Sequence, residues 1–186
     1  MRTAGIIALV FSITMLARPA FADKGITPYV GYNYGGDSSN CLTLTGCKER
    51  HTNIGVSLGT VGGIGFEEDI GYAKNFFGVA PGVNNSVLTI MSNLVVGLPI
   101  GPVNPFVVGG VGLIRPHASL NPANLVTSKN ALGYDIGAGL AISLGHSFGL
   151  RGDIRRFSTF EDLKLFVFSG GKLTFSRATI GITLKY

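Results

Sequence analysis

The sequence predicts a closed, eight-stranded, antiparallel up-and-down β-barrel that crosses a membrane, and three observations predict it. First, the last twelve residues (FSRATIGITLKY) alternate without a break. Ala178, Ile180, Ile182, Leu184 and Tyr186 share one face, and Arg177, Thr179, Gly181, Thr183 and Lys185 share the other, because successive strand side chains point to opposite sides. The apolar row runs to a final aromatic with no turn or polar tail after it, as expected of a strand with lipid on one face and a lumen on the other. Second, the connections between strand-like segments alternate strictly between long and short. Third, 46% of the chain is hydrophobic and only 13% charged, against about 25% charged in a soluble domain.

From the start, residues 1–22 are expected to be a secretory signal peptide. Arg2 supplies the positive charge, residues 4–16 the apolar stretch, and Ala20-Phe21-Ala22 an A-x-A cleavage site. Thirteen apolar residues are too few to cross ~30 Å of hydrocarbon as a helix. The remaining residues, 23–186, suffice for one barrel domain. Losing Arg2 and Arg18 takes the basic count from 15 to 13 against 10 acids, a net charge of +3. The basic residues are scattered rather than gathered into a stripe, so no nucleic-acid partner is expected. The 28 glycines favour tight turns and close strands over long helices.

Leu94 to Ile114 is 21 residues without a charge and imitates a transmembrane helix. Pro99, Pro102 and Pro105 would break that helix repeatedly, so two strands joined by a turn at 99–104 are expected. The eight strands fall at about 25–34, 52–59, 64–75, 87–98, 105–115, 131–144, 148–160 and 174–186. Polar segments at 35–51, 76–86, 116–130 and 161–173 follow the odd strands, and turns at 60–63, 99–104 and 145–147 follow the even ones. That puts every long loop on one rim and every short turn, with both termini, on the other, the polarity of an outer-membrane barrel.

Face assignment follows from alternation. In 131–144, Leu132, Tyr134, Ile136, Ala138, Leu140, Ile142 and Leu144 form an outward row against Gly133, Asp135, Gly137 and Gly139. Phe66, Ile70 and Tyr72 oppose Glu67, Asp69 and Gly71, while Leu88, Ile90, Leu94 and Val96 oppose Thr89 and Asn93. The expected lumen network is therefore Glu67, Asp69, Asn93, Asp135 and Asp153 with Arg151, Arg155 and Arg177. Asp153 is expected to be held between all three arginines, because buried charges require paired, hydrogen-bonded partners. Two places resist. Glu68 falls on the lipid face, which a bulge near Gly65 or a later strand start would relieve. The strand at 105–115 is apolar or glycine on both faces, so its facing is open.

The segments YVGYNY, GFEEDIGY, NFFG, VNPFVVGGVGLIR, GYDIGAGL, LRGDIRRF and FSRATIGITLKY together resemble the OmpA-like and porin-like outer-membrane β-barrel domain family. The resemblance implies fold and outer-membrane location after export, with membrane lipids and the barrel-assembly machinery as partners. Ile180, Ile182, Leu184 and Tyr186 would be the assembly signal. It supplies no activity.

Cys41 and Cys47, alone in the chain and beyond a signal peptide, are expected to form a disulfide in the first long loop. A metal pair would need further ligands, and His51 alone is insufficient. No metal and no cofactor are expected. His117-Ala118-Ser119 resembles the base–nucleophile pair of outer-membrane lipid A deacylases, but no carboxylate lies nearby to orient the imidazole, so no enzyme is expected. The sequence thus points to a monomeric scaffold displaying surface loops, for adhesion or envelope integrity, with its lumen filled by polar residues. A small passive channel is the alternative, followed by a lipid-modifying enzyme and a soluble secreted barrel. Asp37, in the first long loop, is expected to be an inert surface position.

Overall fold

Alternation along each segment becomes a closed wall in the computed structural model, which describes residues 23–38, 48–120, 125–163 and 171–186. The described residues form β1 (Asp23–Tyr34), β2 (Thr52–Val61), β3 (Ile64–Lys74), β4 (Val83–Gly97), β5 (Val103–Leu120), β6 (Leu125–Ser128), β7 (Ala131–Ser143), β8 (Phe148–Asp162) and β9 (Lys172–Lys185). Eight of these follow the order β4-β3-β2-β1-β9-β8-β7-β5, and pairing of β4 with β5 closes the ring. The neighbours are antiparallel, including the first strand against the last. Closure pairs the edges that an open sheet would expose, the condition for a sheet to sit in hydrocarbon.

The uncharged 94–114 stretch is the end of β4, a turn and most of β5, as expected. Two-residue closure between β2 and β3 rests on Gly62 and Gly63, whose φ values of 103° and 64° lie in the region that favours glycine.

Two long segments differ from expectation. Residues 116–130 were expected as a polar loop but largely prolong the wall. β6 pairs with the end of β5 from His117↔Ser128 to Leu120↔Leu125, and Lys129 N donates to Pro116 O at 3.2 Å to carry the ladder toward β7. Residues 76–86 were also expected as polar loop, yet β4 begins at Val83, and Phe76 and Phe77 are each only 1% exposed. The apolar residues of that connection turn into the barrel mouth because the alternative is to leave two phenyl rings in water.

The outer wall carries Val30, Ile54, Leu94, Val111, Ile136, Ile154 and Ile180, all exposed. Tyr32, Tyr34, Tyr72, Tyr134 and Phe160 lie toward the long-loop rim, and Phe66, Phe148 and Tyr186 toward the short-turn rim. These are two aromatic girdles around an apolar belt. The facing of β5, open from sequence, is fixed by its partners: Phe106, Val108, Ile114 and Ala118 are buried inward, and Val107 and Val111 are exposed outward.

Candidate functional site

The interior is where the chain concentrates its chemistry, and period-two alternation puts it there. Glu67, Asp69, Asn93, Asp135, Arg151, Asp153, Arg155 and Arg177, the eight expected lumen residues, are all buried. Glu67 is the hub. It bonds Arg151 Nη1 closely and accepts from Arg155 Nη2 at 2.8 Å. Arg155 also forks onto Asp153, through Nε at 3.0 Å and Nη2 at 3.1 Å, and lies 3.6 Å from Asp135 Oδ2. With its amide oriented to satisfy both ends, Asn93 donates to Asp135 Oδ1 at 2.7 Å and accepts from Arg155 Nη1 at 3.0 Å.

Arg177 belongs to a second cluster. Its Nη2 donates to Asp69 Oδ1 at 2.5 Å, Ser57 Oγ donates to Asp69 Oδ2 at 2.9 Å, and its guanidinium lies over Phe157 at 4.6 Å and Tyr29 at 5.0 Å. The expectation that Asp153 is held by all three arginines is therefore corrected. Asp153 contacts Arg151, at 3.4 Å, and Arg155, while Arg177 reaches across the lumen to β3. The register gives the reason. Arg155 pairs directly with Arg177 across β8 and β9, and adjacent like charges separate toward different carboxylates.

Glycine makes the space. A methyl on Gly139 would stand 2.5 Å from Phe106 Cζ and 2.6 Å from Asp153 Cβ. Arg151 in turn sits over the Phe106 ring at 4.3 Å.

Apolar and hydroxyl side chains lie above and below the ionic layer. On the short-turn side are Val95, Phe106 and Val108 and the buried Thr27–Thr183 hydroxyl pair at 2.9 Å. On the long-loop side, Phe157 stacks on Phe175 at 4.8 Å, Phe76 meets Phe175 edge-on at 4.8 Å, and Phe77 meets Phe76 at 5.1 Å. Asn85 holds this turn in place, accepting from Phe77 N and donating to Gly78 O, both at 2.8 Å. Sequence reasoning missed this aromatic layer, although Phe157 shares the parity of Arg155, and Phe175 that of Arg177.

An apolar outer face, a closed ring and a charged interior are the marks of a barrel built for lipid, and a family model, the outer membrane protein beta-barrel domain, matches residues 6–186. The chain belongs to that family. Long loops of the family's barrels face the cell exterior and short turns the periplasm, which orients the rims. Neisserial surface protein A is a structural neighbour at 14% identity and TM-score 0.66, with 88% of this chain and 97% of that one covered. The N-terminal barrel of Pseudomonas aeruginosa OprF matches at 12% and 0.53, covering 89% and 100%. Ail, the attachment invasion locus protein of Yersinia pestis, matches at 12% and 0.53, covering 89% and 97%. Among curated protein sequences, none matches the chain.

The remaining expected positions resolve as follows. Ile180, Ile182, Leu184 and Tyr186 all face outward and are exposed, whereas Lys185 turns inward to donate to Ser143 Oγ at 2.7 Å. Cys41 and Cys47 lie outside the described residues. Glu68 does sit on the lipid face: the β3–β4 register runs unbroken from Ile64↔Val96 to Lys74↔Ser86, so no bulge relieves it. Its opposite residue, Ser92, donates to Glu68 Oε2 at 2.7 Å instead. Ser119 Oγ bonds the Asn84 carbonyl at 3.5 Å. Asp37 is not an inert surface residue, because its Oδ2 accepts from Thr174 N at 2.8 Å while its own N donates to Thr174 O at 2.8 Å. Partial burial pushes its carboxyl above the ordinary aspartate value, and the bond from Thr174 opposes that rise.

Proposed function

We propose that the chain is a membrane-embedded scaffold whose closed lumen conducts no steady current and whose role is to hold its extracellular loops at the cell surface, for adhesion or envelope integrity. One observation carries this: buried side chains follow one another from the Thr27–Thr183 pair, through the Glu67–Arg155 and Asp69–Arg177 clusters, to Phe76 and Phe77 in the mouth. Eight strands enclose a bore that side chains can fill, and an ionic layer with apolar layers on both sides offers water no continuous path. Ail, whose name ties it to attachment and invasion, has the same barrel, which supports a surface role for the loops. The role is structural and not catalytic, the barrel acts as a monomer, and the Ile180–Ile182–Leu184–Tyr186 row is the signal the assembly machinery reads after export.

Single-channel recording in planar bilayers tests this. The refolded wild type is expected to show no steady conductance, and the lipid A mass of expressing cells is expected to be unchanged. A stable open channel would replace the scaffold with a pore, and a change in lipid A mass would replace it with an enzyme.

A further inference from the structure

A carboxylate and a guanidinium face outward from the apolar wall. Glu68 lies on β3 between Phe66 of the short-turn girdle and Tyr72 of the long-loop girdle. Its Oε2 accepts from Ser92, its Oε1 has no donor, and its register neighbours Leu58 and Ser92 carry no charge. A carboxylate within the belt is unfavourable for a barrel surrounded by lipid, and one hydroxyl donor offsets only part of that. Arg156 is exposed on β8, where Ile136 and Ser176 flank it in the register and Ile154 and Ser158 share its face. None of those four neighbours is charged either.

The register fixes where the two stand relative to each other. From Glu68 through β2, β1 and β9, the pairs Glu68↔Leu58, Leu58↔Ile26, Ile26↔Leu184 and Leu184↔Phe148 lead to Phe148 on β8. Through β4, β5 and β7, the pairs Glu68↔Ser92, Ser92↔Val111, Val111↔Tyr134 and Tyr134↔Ser158 lead to Ser158 on the same strand. Each route crosses four strand pairs, so β3 and β8 lie diametrically opposite in the ring. The two routes descend and climb equally because the strands tilt. The point of β8 level with Glu68 is therefore midway between Phe148 and Ser158, at Asp153. Arg156 is three residues beyond it toward the extracellular rim, about 7 Å higher at ~3.3 Å per residue and a tilt of ~40°. A single arginine side chain, with its long flexible stem, spans such an offset.

We propose that the β3 wall of one barrel docks on the β8 wall of a second copy of this chain, with Glu68 of the first meeting Arg156 of the second. All copies insert with the same rim outward, so the two charges arrive at matching depth. Each supplies what the other lacks: a guanidinium donates in a fork to a carboxylate, and the surrounding hydrocarbon leaves that attraction little screened. Glu68 stands within the apolar belt, away from the headgroups, so a lipid ammonium does not reach it as Arg156 of a neighbour does. Because the complementary walls are opposite each other, every copy uses both, and the contact is head-to-tail. Such a contact extends into a row and does not close into a ring. The inference rests on the membrane-embedded barrel above. The single barrel remains the unit that fills its own lumen and displays its loops, and the row sets only how such units lie side by side.

The test is lysine-reactive cross-linking of the mature protein refolded in phosphatidylcholine vesicles at rising protein density. Lys74 and Lys172, both exposed, lie at the extracellular ends of β3 and β9 and flank the contact. The wild type is expected to give a ladder of dimers, trimers and longer products. Glu68→Gln and Arg156→Gln are each expected to lower the cross-linked share about tenfold, and the exchange Glu68→Arg with Arg156→Glu to restore it. Every variant is read only where it keeps the heat-dependent gel shift of a folded barrel, which separates loss of the contact from loss of the fold and of the membrane reading. Should the exchange not fold, the two glutamine variants decide. Cross-linking unchanged in both would reduce the ladder to random encounter, and a ladder that stops at the dimer would overturn the head-to-tail row. An effect of Glu68→Gln without one of Arg156→Gln would overturn the second copy as the partner of Glu68.

Discussion

Arg177→Met tests most directly whether the interior is dry. The substitution removes the guanidinium bonded to Asp69 but leaves a flexible apolar chain for the slot between Tyr29 and Phe157. Asp69, fully buried, would lose its ion-pair partner and keep hydroxyl contacts, the Ser57 Oγ donor at 2.9 Å and the Tyr29 phenol. Stripping one partner from a buried ion pair costs about 3–5 kcal/mol. Asp69→Asn leaves the opposite defect, a buried guanidinium retaining Thr89 Oγ1 at 3.3 Å and two aromatic faces. Cation–π contact recovers about 1–2 kcal/mol, so this loss sits at the lower end, about 3 kcal/mol. The double variant has neither charge and is expected within about 2 kcal/mol of wild type, against at least about 6 kcal/mol for the two single losses together, a coupling of at least about 4 kcal/mol. With an m-value near 2 kcal/mol/M, each single change lowers the urea midpoint by about 1.5–2.5 M, measurable by tryptic resistance or gel mobility after equilibration in lipid. Single changes below ~0.5 kcal/mol that simply add would mean that both groups are hydrated, and the closed lumen would fail with them.

Three further outcomes are expected. Glu68→Leu should raise the urea midpoint, because it removes a carboxylate from the lipid face, whereas Ser92→Ala, which removes the donor to that carboxylate, should lower stability by about 1–3 kcal/mol; a lower midpoint for Glu68→Leu together with an unchanged one for Ser92→Ala would refute this reading. Gly139→Ala forces a methyl against Phe106 and Asp153 and should cost about 1–3 kcal/mol, visible as a lower melting temperature of the heat-modifiable band. For Asp37, a carboxyl raised in the folded state binds its proton more tightly there than in the unfolded chain, so the wild type gains stability as pH falls through that value. Asp37→Asn should therefore be the more stable at pH 7, and the two midpoints should converge below about pH 4.

Much of this was legible because a barrel wall enforces period two, and one parity choice per strand fixes a whole face. Arg151, Asp153 and Arg155 alternate with Leu150, Ile154 and Arg156, and their burial followed from that alone. Where both parities are apolar, as in β5, the sequence holds no such choice, and only the pairing with β4 and β7 makes it. Which carboxylate meets Arg177 depends on contacts across the lumen, between residues 108 positions apart, and no local pattern encodes that. The aromatic layer was within reach. Carrying the parity of Arg155 and Arg177 onto Phe157 and Phe175 places both rings inside, but aromatics in a membrane protein are more readily assigned to the girdles. Residues 116–130 read as loop for a different reason, since Pro116, Pro122 and Asn130 are turn residues, and the β5–β6 ladder forms between them.

The pairing of β1 with β9 passes from Ile26↔Leu184 to Tyr29↔Gly181, leaving out Thr27 and Pro28, and this gap falls at a particular place in the chain's history. β1 and β9 are the two ends of the barrel domain, so their pairing closes the longest loop and is the contact with the largest entropic cost. That seam lacks the Thr27↔Thr183 and Pro28↔Ile182 rungs, and there a single side-chain hydroxyl bond between Thr27 and Thr183 spans the interval. The junction with the costliest closure is thus also interrupted along its periplasmic half. The ring is expected to open there more readily than at the uninterrupted β3–β4 ladder, so amide exchange beside Thr27 should outpace exchange in that ladder.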